Sequence, residues 1–314
     1  IMDLFIELNK RNNRALSKAI TLAESSLEKD QILSDKLISK FPKKNDSIRI
    51  GITGIPGVGK SSFIEKFGQK FIDQGKKVAV LAIDPSSEKS QGSILGDKSR
   101  MENLAKNKNA FIRPSANKGV LGGVSNKTRD SILLCEAAGY DVIIVETVGV
   151  GQSETTVSKL VDIMLLLTIT GAGDQLQAIK RGIIELSHLI IVTKDDGENK
   201  NNAKQTLIEL KNILSIKPPI DGYWVPKVLK CSSEQNTGID EINIIVNQFI
   251  QKAKDESLFN SKRKKQEIFW IEKTIKEEIG NIKFQKLKKS KQLRQIVDSI
   301  STSKKTLIEV LNNI

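Results

Sequence analysis

The chain has 314 residues, two cysteines, 4% aromatic residues and a formal net charge of +13. A chain of this length buries a hydrophobic core large enough for a stable fold without disulfide bonds, so the class of small disulfide-rich domains is excluded. Cys135 and Cys231 are expected to be buried, reduced thiols. No apolar run approaches the roughly twenty residues needed to cross a bilayer, and no basic-then-apolar leader precedes the first helix. We therefore expect a cytoplasmic protein without membrane contact.

Much of the positive charge lies towards the C-terminus, where the segment after residue 257 holds 14 Lys or Arg against six Asp or Glu. These residues alternate with an apolar helical stripe, which is more typical of a solvated helix face than of a nucleic-acid groove. Few aromatic side chains are available to stack on bases, so we expect no nucleic-acid partner. The single histidine, His188, cannot form a metal site without further ligand residues.

The first segment, from Leu4 to Lys40, has apolar residues at steps of three and four, which predicts a helical brace. The polar stretch 42–47 then breaks the pattern. We predict an N-terminal helical segment over residues 1–45 and a nucleotide-binding domain over residues 46–256.

The central stretch, residues 48–63, reads IRIGITGIPGVGKSSF. It fits the phosphate-loop spacing G-x-x-x-x-G-K-[ST], in which backbone N–H groups and a helix N-terminus face one anion. Lys60 is expected to reach the β and γ phosphates, and the Ser61 hydroxyl to hold Mg²⁺. The predicted phosphate-binding residues are Gly54, Ile55, Pro56, Gly57, Val58, Gly59, Lys60, Ser61 and Ser62.

Two acids follow the phosphate loop at positions suited to a metal. The apolar run 77–83 predicts a buried parallel strand that ends in Asp84, where open α/β sheets gather their ligands. Asp84 can also cap the turn before Pro85. Asp97 lies in a glycine-containing loop and can equally be the N-cap of the next helix.

The strand predicted over residues 142–145 runs directly into Glu146 and Gly149. An acid at the tip of this strand suits the metal-side carboxylate of a phosphoryl-transfer site, and the Gly149 N–H can contact the γ-phosphate. The other interpretation is a charged strand end followed by a flexible loop.

Strands are also predicted over residues 111–114, 163–169, 189–192 and 227–231. The strand 189–192 is followed by Thr193, Lys194 and Asp196. An Asp two residues after a Lys can accept hydrogen bonds from the ring and amino N–H groups of guanine. A polar turn is the other interpretation. After the last strand, Ser232, Ser233 and Glu234 can line the other side of the base.

The C-terminal segment, residues 257–314, is predicted to form two helices with an apolar stripe, interrupted near Gly280 and within residues 286–291. Such a stripe needs a covering surface, so we interpret the segment as a dimerisation arm; folding back onto the chain's own sheet is the alternative. The predicted fold class is α/β: a P-loop NTPase with a mostly parallel sheet flanked by helices, plus helical segments at both ends.

Five motifs carry a family resemblance: GIPGVGKSS, AIDPSS, GSILGDKSRM, ETVGVGQSE and GAGDQLQAIKRGI, in this order. The chain resembles the MeaB/ArgK family of SIMIBI-class P-loop GTPases over nearly its whole length. The resemblance implies a homodimer that chaperones an adenosylcobalamin-dependent acyl-CoA mutase of the methylmalonyl-CoA type. It also implies that hydrolysis of GTP to GDP is coupled to cofactor loading and protection of the mutase.

The resemblance assigns further roles by motif. Asp84, Asp97 and Glu146 would form the acidic set around Mg²⁺ and the attacking water. Asp174 and Lys180 would belong to a switch segment that reports the nucleotide state to the mutase. The family reads NKxD where this chain has Thr193, so the first position offers one hydroxyl in place of an amide.

Three other functions are compatible with the sequence. One is an ATP-dependent kinase acting on transport-system components, and another is a nucleotide-gated scaffold with negligible turnover. The third, a metal-delivering GTPase, is disfavoured because the sequence has no His or Cys cluster that could hold nickel or zinc.

Overall fold

The computed structural model describes residues 2–41, 46–83, 101–114, 121–147, 153–170, 181–290, 292–301 and 310. Within these residues there are seven strands: β1 (Ile48–Gly54), β2 (Val78–Ile83), β3 (Ala110–Arg113), β4 (Val142–Thr147), β5 (Ile163–Thr168), β6 (Leu189–Val192) and β7 (Lys227–Lys230). They form one parallel sheet in the order β3-β2-β4-β1-β5-β6-β7. The predicted α/β fold with a mostly parallel sheet is therefore confirmed.

The central strands are apolar because both faces of the sheet are covered. Every residue of β2, β4, β5 and β6 is buried, and these strands are rich in Val, Ile and Leu. β1 lies between β4 and β5, with Ile50 opposite Ile144 on one side and Ile163 on the other. The sequence thus places the strand that precedes the glycine-rich loop at the centre of the sheet.

Twelve α-helices accompany the strands in the described ranges. They are α1 (Met2–Asn9), α2 (Asn13–Glu24), α3 (Glu28–Ile38), α4 (Lys60–Asp73), α5 (Glu102–Lys106), α6 (Leu121–Ala137), α7 (Ser153–Ser158), α8 (Arg181–Leu186), α9 (Lys200–Ser215), α10 (Ile239–Asp255), α11 (Leu258–Lys289) and α12 (Gln292–Ser301).

The N-terminal segment is helical as predicted, but it is divided into three helices. Arg11 adopts a left-handed backbone (φ 61°), which ends α1. Asn12 then caps α2, because its side-chain oxygen accepts hydrogen bonds from the N–H groups of Arg14 and Ala15. Apolar periodicity alone did not reveal these local breaks.

The C-terminal segment contains the predicted helices and the predicted break at Gly280. This glycine has non-helical dihedral angles (φ 77°, ψ 162°) inside α11. Beyond it, Phe284 packs in one apolar cluster with Ile271, Ile275, Leu293 and Val297. The role of this segment in dimerisation stays a prediction.

The chain forms two compact units. One consists of residues 46–121 and 140–256 and contains the whole sheet; the other consists of residues 1–45, 122–139 and 257–314 and is helical. Within the helical unit, Arg263 and Glu136 form a buried ion pair with an N–O distance of 2.9 Å. The three-part division drawn from the sequence remains a prediction.

A search of the described helices finds none with the length and apolar character required to span a bilayer.

Candidate nucleotide site

The candidate site lies at the carboxyl edge of the sheet, because all seven strands run in the same direction and their last residues share that edge. The loop after β1 carries the glycine-rich motif. Glu146 lies near the end of β4, and Thr193 and Ser232 follow β6 and β7. Residues from four distant parts of the sequence are thus gathered at one edge.

The start of the phosphate loop requires glycine. Gly54 has φ 153°, and a Cβ atom there would lie 2.5 Å from the carbonyl oxygen of Leu167 on β5. Gly59 has φ 92° and is the N-cap of α4 without a side-chain capping bond. The loop therefore leads into a helix N-terminus of the kind that binds anions.

Lys60, the first residue of α4, folds its side chain back over the loop. Its Nζ donates hydrogen bonds to the carbonyl oxygens of Gly54 (2.8 Å) and Ile55 (3.3 Å). Burial lowers the pKa of Lys60, and the negative charges of Glu146 and Glu154 oppose this shift. The ammonium group is thus partly desolvated and held above the loop that is predicted to receive the phosphates.

Ser61 and Glu146 supply the oxygen atoms predicted for a metal. The Ser61 residue is 9% exposed and Glu146 is 5% exposed. Glu146 is register-paired with Ile52, near the end of β1, so its backbone lies beside the strand that leads into the loop. A hydroxyl and a carboxylate are ligands that suit Mg²⁺ chemically, and the donor set therefore fits this ion.

Thr193 links the loop after β6 to the phosphate loop. Its hydroxyl lies 2.7 Å from the carbonyl oxygen of Val58 and 3.1 Å from that of Thr168, and it can donate to one of them at a time. Its own N–H donates to the Thr168 carbonyl at 2.8 Å. The single hydroxyl is therefore within hydrogen-bonding distance of the phosphate loop, at the position where the family motif NKxD has an amide.

The two acids after Lys194 have different partners. Asp195 forms an ion pair with Lys230 (2.8 Å), whereas the carboxylate of Asp196 accepts a hydrogen bond from the buried Ser232 hydroxyl. The Ser232 oxygen in turn accepts a hydrogen bond from the N–H of Gln235 (3.0 Å). This second bond fixes the hydroxyl so that its hydrogen is directed at Asp196.

One cavity of about 740 Å³ connects the two groups of predicted residues. Val58, Gly59 and Ser62 line it from the phosphate-loop side. Its other lining residues are Glu65, Lys66, Glu102, Asn103, Thr193, Lys194, Asp196, Ser233 and Glu234. A cavity of this size, with polar groups in its lining, is in the range of a small-molecule site.

Five predicted site residues lie outside the described residues: Asp84, Asp97, Gly149, Asp174 and Lys180. Their proposed roles stay predictions.

Two side chains were not singled out by the sequence. Glu154, on α7, is fully buried and its charge acts on Lys60; its only sequence signal was its place in the motif ETVGVGQSE. Asn199 donates to the carbonyl oxygen of Lys194 at 2.7 Å and had no signal of its own.

Comparison with known proteins gives a consistent family assignment. The protein family described as "Methylmalonyl Co-A mutase-associated GTPase MeaB" matches residues 16–288 of this chain. The chain is 45% identical to the GTPase ArgK of Escherichia coli (strain K12) over 275 residues, which are 87% of this chain and 83% of that protein. It is 41% identical to the mitochondrial methylmalonic aciduria type A homolog of Caenorhabditis elegans over 298 residues, 91% of this chain and 74% of that protein.

Among solved structures, the chain is similar to one titled "Crystal structure of LAO/AO transport system kinase". The TM-score is 0.75 at 34% sequence identity, and the match covers 99% of this chain and 96% of the other. The parallel sheet, the phosphate loop and these matches together confirm a P-loop NTPase fold, and the chain belongs to the MeaB family of methylmalonyl Co-A mutase-associated GTPases.

Proposed function

We propose that this chain is a Mg²⁺-dependent GTPase that acts as a chaperone for an adenosylcobalamin-dependent acyl-CoA mutase. The observation that supports the GTPase proposal is a shared cavity whose lining includes Gly59 and Ser62 as well as Asp196. A carboxylate that accepts the ring and amino N–H groups of guanine would be left unpaired by adenine. The geometry therefore supports a guanine nucleoside triphosphate as substrate.

The chain's own residues act chiefly by positioning and by charge. The N-terminus of α4 and Lys60 would bind the phosphate oxygens, and Lys60 would exchange its two loop carbonyl partners for them. Ser61 and Glu146, with Asp84 and Asp97 by family resemblance, would hold Mg²⁺, which neutralises phosphate charge when bound. Hydrolysis by in-line attack of water needs little more than this, since phosphoryl transfer asks for little covalent chemistry from the protein.

The mutase partner is proposed from the family. The matched family is described as a methylmalonyl Co-A mutase-associated GTPase, and 74% of the C. elegans relative's length aligns with this chain. We further propose that the protein is a cytoplasmic homodimer, with residues 257–314 as its dimerisation arm. GTP hydrolysis would be coupled to cofactor loading and protection of the mutase.

The first experiment measures nucleotide choice and turnover. We expect GTP and GDP to bind in competition with each other and ATP to compete weakly, with slow release of phosphate from GTP. Lys60→Ala should abolish phosphate release, while Lys76→Ala, at an exposed turn after α4, serves as the matched control and should retain it. Preference for ATP would overturn the proposal and favour the kinase function.

The second experiment tests the partner. Phosphate release should rise when a purified adenosylcobalamin-dependent acyl-CoA mutase is added, because no arginine finger is identified in this sequence and the partner is expected to supply acceleration. An equally fast rate without the mutase would argue against the chaperone proposal.

A further inference from the structure

The side chain of Asn199 connects the loop after β6 to the end of β5. Its Nδ2 donates to the Lys194 carbonyl oxygen at 2.7 Å. Its Oδ1 accepts a hydrogen bond from the hydroxyl of Thr170, two residues after β5. Because the Thr170 hydroxyl occupies Oδ1, the amide is oriented so that its N–H group must face Lys194.

Lys194 has a backbone that needs such support. Its φ is 58°, a left-handed conformation that is unfavourable for residues other than glycine. It lines the cavity together with Asp196, and a change in its backbone would redirect both side chains. Backbone conformations of this kind persist where surrounding contacts hold them, and Asn199 makes such a contact.

We infer that Asn199 is a positioning residue for base selection, which holds Lys194 in its left-handed conformation so that the Asp196 carboxylate faces the cavity. The inference rests on the proposed function, since it deepens the account of guanine recognition. Asn199 lies outside the cavity lining, so it acts through Lys194. The link to Thr170 makes the end of β5 the fixed point from which the loop is positioned.

The test separates the two hydrogen bonds. Asn199→Asp retains the acceptor for Thr170 but loses the donor to Lys194, and Thr170→Val removes the hydroxyl that orients the amide. Asn199→Ala is the second variant at that position, and Thr170→Ser is the matched control because it retains the hydroxyl. For each variant, calorimetry measures the Kd of GDP and the Kd of inorganic tripolyphosphate, a ligand without a base.

We expect Asn199→Asp and Asn199→Ala to raise the Kd of GDP about tenfold, from the loss of one hydrogen bond and the loop order it maintains. The Kd of tripolyphosphate should not change, because the phosphate loop is untouched. Thr170→Val should raise the Kd of GDP about threefold, and Thr170→Ser should match the unaltered chain.

Two outcomes would overturn the inference. One is an unchanged Kd of GDP in both Asn199 variants, and the other is an equal loss of GDP and tripolyphosphate binding, which would indicate a general structural defect. The nucleotide preference of the unaltered chain distinguishes failure of this inference from failure of the proposed function. If it does not prefer GDP to ADP, the proposed function fails; if it does and the variants retain that preference and affinity, only the role of Asn199 fails.

Discussion

At the scale of single residues, the proposed base recognition rests on Asp196 and not on its neighbour Asp195. Only Asp196 lines the cavity, while Asp195 pairs with Lys230. The Ser232 hydroxyl holds one Asp196 oxygen, which limits rotation of the carboxylate. The two adjacent acids therefore provide a matched pair for mutation.

Asp196→Asn should weaken GTP binding roughly 100-fold, because the amide sets a donor against one guanine donor, and the remaining hydrogen bond loses its charged acceptor. Xanthosine triphosphate, with an oxygen in place of the amino group, should become the better ligand. Competition binding with both nucleotides measures the change. Asp195→Asn should retain the preference for GTP, and an unchanged base profile in Asp196→Asn would remove this residue from the site.

A second prediction concerns Thr193. Thr193→Val keeps the shape of the side chain but removes the hydroxyl that contacts the Val58 carbonyl, so GTP binding should weaken about fivefold. Thr193→Ser retains the hydroxyl and should bind within about twofold of the unaltered chain. Equal affinity of all three proteins would show that the link between the loops does not affect the nucleotide.

Local backbone geometry was predictable where a motif fixes it. The spacing of Gly54, Gly59 and Lys60 indicated the phosphate loop because its glycines are required by backbone angles and close approach. The proposed role of Asn199 was not predictable, since it depends on the left-handed backbone of Lys194 and on a hydrogen bond from Thr170, neither of which the sequence reveals. The partner of Ser232 likewise depends on the meeting of two loops that lie far apart in sequence.

At the scale of elements, the turn between β7 and α10 depends on one glycine. Gly238 has φ 77°, and a Cβ atom there would lie 2.2 Å from the carbonyl oxygen of Lys230 at the end of β7. Gly75, after α4, has φ 78°, with no atom within 4 Å of its Cβ position. The two glycines share a conformation but differ in their surroundings.

Gly75→Ala should therefore lower the free energy of unfolding by about 1–2 kcal/mol, from the left-handed backbone alone. Gly238→Ala should cost about 1–3 kcal/mol more, because the added carbon also forces the β7 backbone or α10 to move. Urea denaturation of both variants measures the difference. Equal losses of unfolding free energy in the two variants would mean that small backbone shifts relieve the close contact between the added Cβ atom and the Lys230 carbonyl oxygen.

Most elements were predictable because their apolar runs are long or bounded by clear turns. The strand predicted over residues 189–192 agrees with β6, and the predictions for β2 and β5 differ by one residue at one end. The N-terminal segment was predicted only as a helical brace, and its division into three helices was not predicted, since Arg11 and Asn12 interrupt an apolar spacing that continues across them. Local capping, which periodicity ignores, decided those boundaries.

At the scale of the whole molecule, stability should depend on pH through two acids of the helical unit. Burial and the nearby charge of Asp130 raise the pKa of Asp35 from 3.8 to about 7, and burial raises the pKa of Asp130 to about 6 against the opposing Arg129 charge. A folded-state pKa above the unfolded value means that the folded chain binds the proton more tightly. This contribution is fully present below pH 3.8 and is lost as the pH rises through about 7.

Asp35→Asn should remove most of this dependence, because the amide stays neutral at every pH. We expect the variant to melt roughly 2–4 °C above the unaltered chain at pH 8, for a gain on the order of 1 kcal/mol, and close to it at pH 4. Asp3→Asn, at an exposed position on α1, is the matched control and should leave the pH profile unchanged. Parallel profiles for all three chains would contradict the assignment of the Asp35 pKa.

The strand order has a consequence for how the protein is made. β1 leaves the ribosome first among the strands, yet it lies between β4 and β5, which begin at Val142 and Ile163. In a nascent chain, one edge of β1 therefore stays unpaired until β4 has been translated and the other until β5 has been translated, and such unpaired edges favour aggregation. The strand that leads into the phosphate loop can therefore be paired on both sides only after residue 168 has been translated, although its own codons are read early.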